Sequence, residues 1–221
     1  MRHLTLILSL LTISLFSIFN ANDLHRRYIR NKVGSQTALI MSMDETAGGS
    51  GFYLNTKQGV RLITNRHVCQ LANDKGELKV KDEGSRFFKI HKVIRISETA
   101  HDLCMIDSNG HNGSLELAND LRVGDTTYLV GHPNLRPLTV QEGEIIDLAA
   151  ESTIVSHIIT AQNPVIRDIV TRMALIAFGG NSGSPIVNKY GLVVGVLFAG
   201  SKEVVNDSMA VTLKDLREFI N

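Results

Sequence analysis

The sequence predicts an all-β protein, a barrel or sandwich layout in two halves with one terminal helix. Short segments of alternating apolar and polar residues recur along most of the chain, and Gly, Asn and Asp turn signals punctuate them at regular intervals. A run with helical spacing closes the chain, and no βαβ rhythm precedes it. At 221 residues and 43% hydrophobic content, the chain can bury one substantial core or two small ones packed together. Its net charge of +1 creates no long-range field, which removes nucleic acid and acidic polymers from the implied partners.

The first residues depart from this pattern. Met1-Arg2-His3 is a short basic start, and Leu4–Phe19 is uncharged and almost wholly Leu, Ile, Phe, Ser and Thr. Residues 1–21 read as a secretory signal peptide, with an uncleaved membrane anchor as the alternative. Either places the folded part outside the cytosol, periplasmic or secreted, and leaves an uncleaved segment as the sole route to a membrane. Residues 22–34, with His25, Arg26, Arg27, Arg30 and Lys32, read as a polar, solvated lead-in.

Strands begin at Gln36–Met43. Gly48-Gly49-Ser50-Gly51 follows, and then a hairpin from Gly51–Asn55 and Val60–Thr64 around Thr56–Gly59. This hairpin delivers Thr64-Asn65-Arg66-His67-Val68-Cys69, with one helical turn over Gln70–Asn73. Glu77–Lys81 and Phe87–Ser97 alternate around a turn at Asp82–Ser85, and His101-Asp102 opens the apolar strand that ends at Asp107. The halves divide near residues 114–122. Thr126–Gly131 is the next strand, ending at Gly131-His132-Pro133. Leu138–Val140 and Glu144–Leu148 form a hairpin around Gly143, Ser156–Ala161 is a strand, and Val165–Thr171 is less regular. After Gly179–Pro185 come Ile186–Val187, a turn at Asn188–Gly191, the strand Leu192–Phe198, and a helix over Leu213–Asn221 on Leu213, Leu216, Phe219 and Ile220.

Three residues ask for a chemical reading. Ser182 stands between glycines in Gly179-Gly180-Asn181-Ser182-Gly183-Ser184-Pro185, a turn that leaves its hydroxyl open and lets backbone N–H groups face a developing oxyanion. On the heptapeptide alone, a glycine-rich hairpin turn with an incidental serine is the other reading. His67 at a strand exit is, taken singly, more often a half-buried structural histidine. Asp102 at the mouth of an apolar strand needs a partner, with His67 as one candidate and a loop-capping role as the other reading. Together they supply, in the order His67, Asp102, Ser182, a general base, the carboxylate that fixes its tautomer, and a nucleophile. Gly180 and Ser182 would give the oxyanion donors.

At these residues the sequence resembles the chymotrypsin-fold serine peptidases, in the bacterial-type branch of the high-temperature-requirement and glutamyl endopeptidases. The matching residues are Gly49-Ser50-Gly51-Phe52, Leu62–Val68, His101–Ile106, Gly131-His132-Pro133, Gly179–Val187 and Gly191–Gly195. The resemblance covers roughly residues 35–220. It implies two six-stranded antiparallel barrels, about 35–115 and about 120–205, with helix 213–221 after them and the site in the crevice between. It also implies an exported serine endopeptidase that hydrolyses protein or peptide substrates through an acyl-enzyme, without cofactor or metal. No Ile-Val-Gly-Gly-type start is present for zymogen insertion, and no peptide-binding C-terminal domain follows the helix.

By the same resemblance, the first substrate pocket is lined by Leu175, Ile176 and Ala177 and by Val196, Leu197, Phe198, Ala199 and Gly200. These apolar residues imply a small or medium apolar side chain on the acyl side of the cut. Cys69 and Cys104 are an even pair in an exported chain, open to bridging or to service as buried thiols. On the implied layout each lies two residues past a triad member, which makes a bridge beside the His67–Asp102 pair available. His101, His132 and His157 lack ligand spacing and read as structural or solvent-facing. Two other function classes use the same residues: a catalytically silent relative that presents a peptide groove, and an esterase.

Overall fold

The computed structural model describes residues 22–97, 101–152, 168–200 and 206–221. Helix α1 covers residues 22–34. The first barrel follows as β1 Thr37–Met41, β2 Gly48–Thr56, β3 Gly59–Thr64, the one-turn helix α2 Arg66–Cys69, β4 Glu77–Asp82, β5 Lys89–Ile96 and β6 Cys104–Ile106. The second consists of β7 Thr126–Gly131, β8 Thr139–Ser152, β9 Asp168–Ala174, β10 Pro185–Asn188, β11 Val193–Gly200 and β12 Ser208–Val211, with α3 Leu213–Ile220 after it. Both barrels are closed and antiparallel, and their orders, β1-β2-β3-β6-β5-β4 and β7-β8-β9-β12-β11-β10, are one topology used twice. Closure by β1 on β4 and β7 on β10 leaves neither barrel with an open edge.

Strand alternation explains how one chain builds three cores. Successive side chains point to opposite faces, so Tyr53 fills the first barrel while its neighbours Phe52 and Leu54 face outward. In the second barrel Leu129 points inward, and Tyr128 and Val130 outward. The outward faces meet in a shared core that includes Ile63, Met105, Val187, Val196 and Val211. A strand here is buried on both sides, which is why β6 and β11 read as unbroken apolar runs.

Two helices seal that shared core. On α3, Leu216, Phe219 and Ile220 enter it, and the N-cap Thr212 accepts the Asp215 N–H at 3.1 Å. The segment expected to be a solvated lead-in is instead the helix α1, because Ile29 and Val33, one turn apart, are both fully buried in the shared core. Arg30 spans the barrels, donating to the Leu138 carbonyl at 2.6 Å and meeting Glu83 at 3.2 Å. The connection between halves passes through Leu115 and Leu117, which bridge to Leu54 and Val193.

Two further expectations change. The helical turn after His67 starts four residues earlier than its pattern suggested, at Arg66, so His67 lies inside it. Gly143 is no hairpin turn. It sits mid-strand in the continuous β8, opposite Thr127, where a Cβ would approach the Ala174 carbonyl to 2.7 Å. The strand expected at Ser156–Ala161 lies outside the described residues, as does His157.

Candidate active site

The His67–Asp102 pair is built wholly by the first barrel. β3 and β6 pair Thr64 with Cys104, which brings the chain leaving β3 alongside the chain entering β6. The Asp102 carboxylate accepts the His67 backbone N–H at 3.0 Å and meets ring Nδ1 at 2.8 Å. A carboxylate at that distance accepts a hydrogen bond from Nδ1–H, which keeps the proton on Nδ1 and leaves Nε2 as the basic lone pair. Both side chains are about 15% exposed, at 16% and 14%, so the pair is shielded yet reachable. Asp102 adopts φ +41°, a left-handed conformation unusual for a non-glycine residue. Its carbonyl is fixed by Asn65 Nδ2 at 3.0 Å and the Arg66 N–H at 3.1 Å. Cys69 and Cys104, two residues beyond His67 and Asp102, are joined by a disulfide with Cα atoms 6.4 Å apart.

Ser182 comes from the turn between β9 and β10. Gly180 and Gly183 flank it at φ +86° and +84°, and at both a side chain would strike backbone, the His132 carbonyl and the Ser50 carbonyl. The turn is docked on the first barrel, where the Ser50 N–H donates to the Ser182 carbonyl at 2.8 Å. Gly49 lets that carbonyl lie close to Val68, since a Cβ there would lie 2.7 Å from Val68 and 2.8 Å from Ser182 O. Ser182 is half-buried, and its hydroxyl makes no hydrogen bond among the described residues, His67 included. Such nucleophile–base bonds are often long without substrate. Nor do the Gly180 and Ser182 N–H groups have partners among the described residues. A carboxylate-oriented imidazole, a half-buried serine hydroxyl and two N–H groups without partners among the described residues are the groups that acyl transfer requires.

The model of the trypsin-like peptidase domain matches residues 49–196, which contain every one of these groups. The chain belongs to the trypsin-like peptidase family. Among its curated relatives, the chloroplastic Protease Do-like 5 of Arabidopsis thaliana is 31% identical over 160 residues, 67% of this chain and 46% of the relative. A probable serine protease do-like of Buchnera aphidicola is 28% identical over 152 residues, 67% and 29%. The chain thus spans less than half the length of these relatives. The crystal structure of Deg5 superposes with a TM-score of 0.68 at 24% identity, covering 89% of this chain and 92% of that one. The active form of the Rv3671c protease from M. tuberculosis gives 0.68 at 16%, covering 86% and 81%. These two likenesses are of fold.

Within this trypsin-like peptidase fold, the residues expected to line the substrate pocket divide. Leu175, Val196 and Leu197 are at most 3% exposed and are spent in the barrel and shared cores, so they do not present a side chain to substrate. Ile176 is 42% exposed, Ala177, Phe198 and Ala199 are half-buried, and Gly200 is exposed. Gly200 packs on Ala177, where a Cβ would come within 3.0 Å of the Ala177 methyl. Phe178, 46% exposed and two residues before Gly180, extends this apolar rim, and sequence reasoning missed it.

Sequence reasoning gave His132 a structural or solvent-facing role and Ser50 none, and did not place either beneath the Gly179–Pro185 turn. Ser50, fully buried, and His132, 4% exposed, lie there, and the His132 ring Nδ1 meets the Arg136 carbonyl at 3.0 Å. Burial pushes the His132 imidazole below its ordinary value, against a smaller opposing effect of that carbonyl. His101 lies 3.7 Å from Asp215 on α3, away from any ligand cluster. The Gly-Ser-Gly run of β2 and the Gly-His-Pro exit of β7 were the available signals.

Proposed function

We propose that the chain is an exported serine endopeptidase with His67, Asp102 and Ser182 as its triad. The observation that supports this reading is an Asp102-held His67 ring in the first barrel together with a serine turn docked on that barrel through Ser50, whose Gly180 and Ser182 N–H groups have no partner among the described residues. Ser182 Oγ attacks the scissile carbonyl while His67 Nε2 takes its proton, and the carbonyl oxygen becomes an oxyanion between the Gly180 and Ser182 N–H groups. Collapse expels the amine, which receives the proton from His67, and leaves the acyl group on Ser182. Water, deprotonated by His67, then releases the acid. Asp102 keeps Nδ1 protonated and stabilises the transient imidazolium.

The rim of Ile176, Ala177, Phe178, Phe198 and Ala199 carries no charge, which supports an apolar residue on the acyl side of the cut. Export is supported by the uncharged Leu4–Phe19 run and by the paired cysteines, since disulfides persist in oxidising compartments.

A fluorophosphonate probe should label the wild-type chain and not Ser182→Ala. A folded wild type that stays unlabelled defeats the reading. Cleavage of casein, set against hydrolysis of a simple ester, separates peptidase from esterase. A peptide panel cut fastest after Arg or Glu would overturn the apolar preference.

A further inference from the structure

The Gly48–Gly51 run of β2 has no part in the chemistry above, yet its serine makes four hydrogen bonds at the barrel interface. Ser50 is fully buried. Its N–H donates to the Ser182 carbonyl at 2.8 Å, and its own carbonyl accepts from Thr64 Oγ at 2.7 Å. Its hydroxyl donates to the Gly180 carbonyl at 2.8 Å and accepts the His132 N–H at 3.0 Å. One first-barrel side chain thus links two separate loops of the second, the nucleophile turn and the exit of β7.

What this hydroxyl holds is the orientation of the first oxyanion donor. The Gly180 N–H belongs to the same peptide plane as the Gly179 carbonyl, and that carbonyl accepts the Asn134 N–H at 2.5 Å. In a planar trans peptide the C=O and N–H point in opposite directions, so anchoring the carbonyl on Asn134 turns the Gly180 N–H away from the 132–135 loop. The next plane carries the Gly180 carbonyl, which is anchored on Ser50. Between the two planes lies a glycine at φ +86°, without a Cβ to restrict rotation. The first plane is held from the 132–135 loop, and the second is held by Ser50 across the interface and, within the turn, by the Asn181 N–H, which donates to the Phe178 carbonyl at 3.0 Å. Without the Ser50 hydroxyl, the Gly180 carbonyl becomes a buried acceptor with no donor, and rotation about Gly180 is the cheapest way for it to find one. Because the N–H and the carbonyl share one Cα, a shift of Gly180 toward a new donor also displaces the N–H against its Asn134 anchor.

We propose that Ser50 is a positioning residue for the oxyanion hole, acting through its hydroxyl on the Gly180 peptide. This rests on the peptidase reading given above. A structural role alone would lower stability. A positioning role lowers transition-state stabilisation and leaves ground-state binding untouched.

The test compares wild type with Ser50→Ala and Ser50→Cys on a tripeptide p-nitroanilide ending in valine, and measures inhibition by the matching peptide boronate, whose Ser182 adduct places an oxygen in the hole. Ser50→Ala should lower kcat by about tenfold to a hundredfold, somewhat less than the loss of a hole donor, with KM within about twofold. Boronate affinity should fall by the same factor, and Ser50→Cys, which keeps a weak donor of similar size, should fall between. Unchanged kcat, unchanged boronate affinity, or a rise in KM that accounts for the whole loss would each overturn the proposal. If Ser50→Ala does not fold at the assay temperature, Ser50→Cys carries the same comparison. A wild type that neither hydrolyses the anilide nor reacts with a fluorophosphonate overturns the peptidase reading and this proposal with it. A wild type that reacts, with the Ser50 variants unchanged, overturns this proposal alone.

Discussion

The two barrels share a topology but hold their parts of the site in different ways. The first fixes His67 and Asp102 internally: two hydrogen bonds join them, Asn65 and Arg66 pin the Asp102 carbonyl, and a disulfide closes the far side. The second presents Ser182 on a turn whose glycines remove local stiffness, and the turn takes its shape from Ser50 across the interface and Asn134 beside it. The first half is held within its own barrel, whereas the second adds to its own bonds, among them Asn181 N–H to the Phe178 carbonyl and Gly183 N–H to the Leu197 carbonyl, an anchor from the other barrel. Damage to the first should therefore act on proton transfer, and damage to the second on the geometry of the oxyanion donors.

The largest expected effect tests the first half. Asp102→Asn keeps the size of the side chain but presents an amide to His67 Nδ1, favouring the wrong tautomer, and should lower kcat by about 10⁴-fold with KM little changed. Steady-state kinetics on a peptide anilide measures it. A loss below about tenfold would mean that the 2.8 Å contact does not set the tautomer. The second half is tested by Gly180→Ala, whose methyl group meets the His132 carbonyl and, at 2.8 Å, the Leu135 amide nitrogen. Both obstacles are backbone, so the turn must move. A kcat loss of about a hundredfold or more is expected, together with about 1–3 kcal/mol of stability. Full activity in this variant would show that the donors are not oriented at Gly180.

This asymmetry also explains what was legible in the sequence. His67, Asp102 and Ser182 announce themselves by residue type and immediate neighbours, and the strands of both barrels by alternation. What contact alone decides was not legible. In helix α1 the buried apolar residues are Ile29 and Val33, in a segment otherwise rich in charge, too sparse a pattern to separate from a solvated tail. Gly143 looks like a turn because the same residue type serves a turn and a close approach, and the carbonyl that it accommodates belongs to Ala174, far along the chain. Val196 and Leu197 could not be told from pocket residues, because a strand buried on both faces has no parity signal to say which side chain faces a cleft. Ser50 carries no chemistry of its own, and its partners in the second barrel lie 82 to 132 residues away.

A smaller effect follows from the disulfide, which belongs to the first half alone. For a sequence separation of 35 residues, loop-closure entropy gives about 3–4 kcal/mol, an upper figure if the unfolded chain retains structure. The double variant Cys69→Ala/Cys104→Ala should lose about 2–4 kcal/mol in urea unfolding. Its kcat at a temperature where it stays folded should fall less than that of Gly180→Ala, because both Asp102–His67 hydrogen bonds remain. An equal fall would mean that the bridge, rather than those bonds, sets the geometry of the pair.

The smallest effect separates the halves by acid. His132 supports the second half, with its N–H on Ser50 and its ring buried beneath the turn, and burial holds its imidazole below the ordinary 6.5. The unfolded chain binds that proton near pH 6.5 and the folded chain only at lower pH. Between those values the unfolded state carries more protons, so stability is complete above about 6.5 and declines as pH falls. His111 in the first barrel is pushed the same way by burial, with Asp82 opposing, so the wild-type slope contains both. Urea unfolding at pH 7.5 and 5.5 should show a loss of about 1 kcal/mol in wild type and a shallower loss in His132→Asn. An unchanged slope in that variant would assign the acid sensitivity to the first barrel, and the β7 exit would then not be what weakens the serine half at low pH.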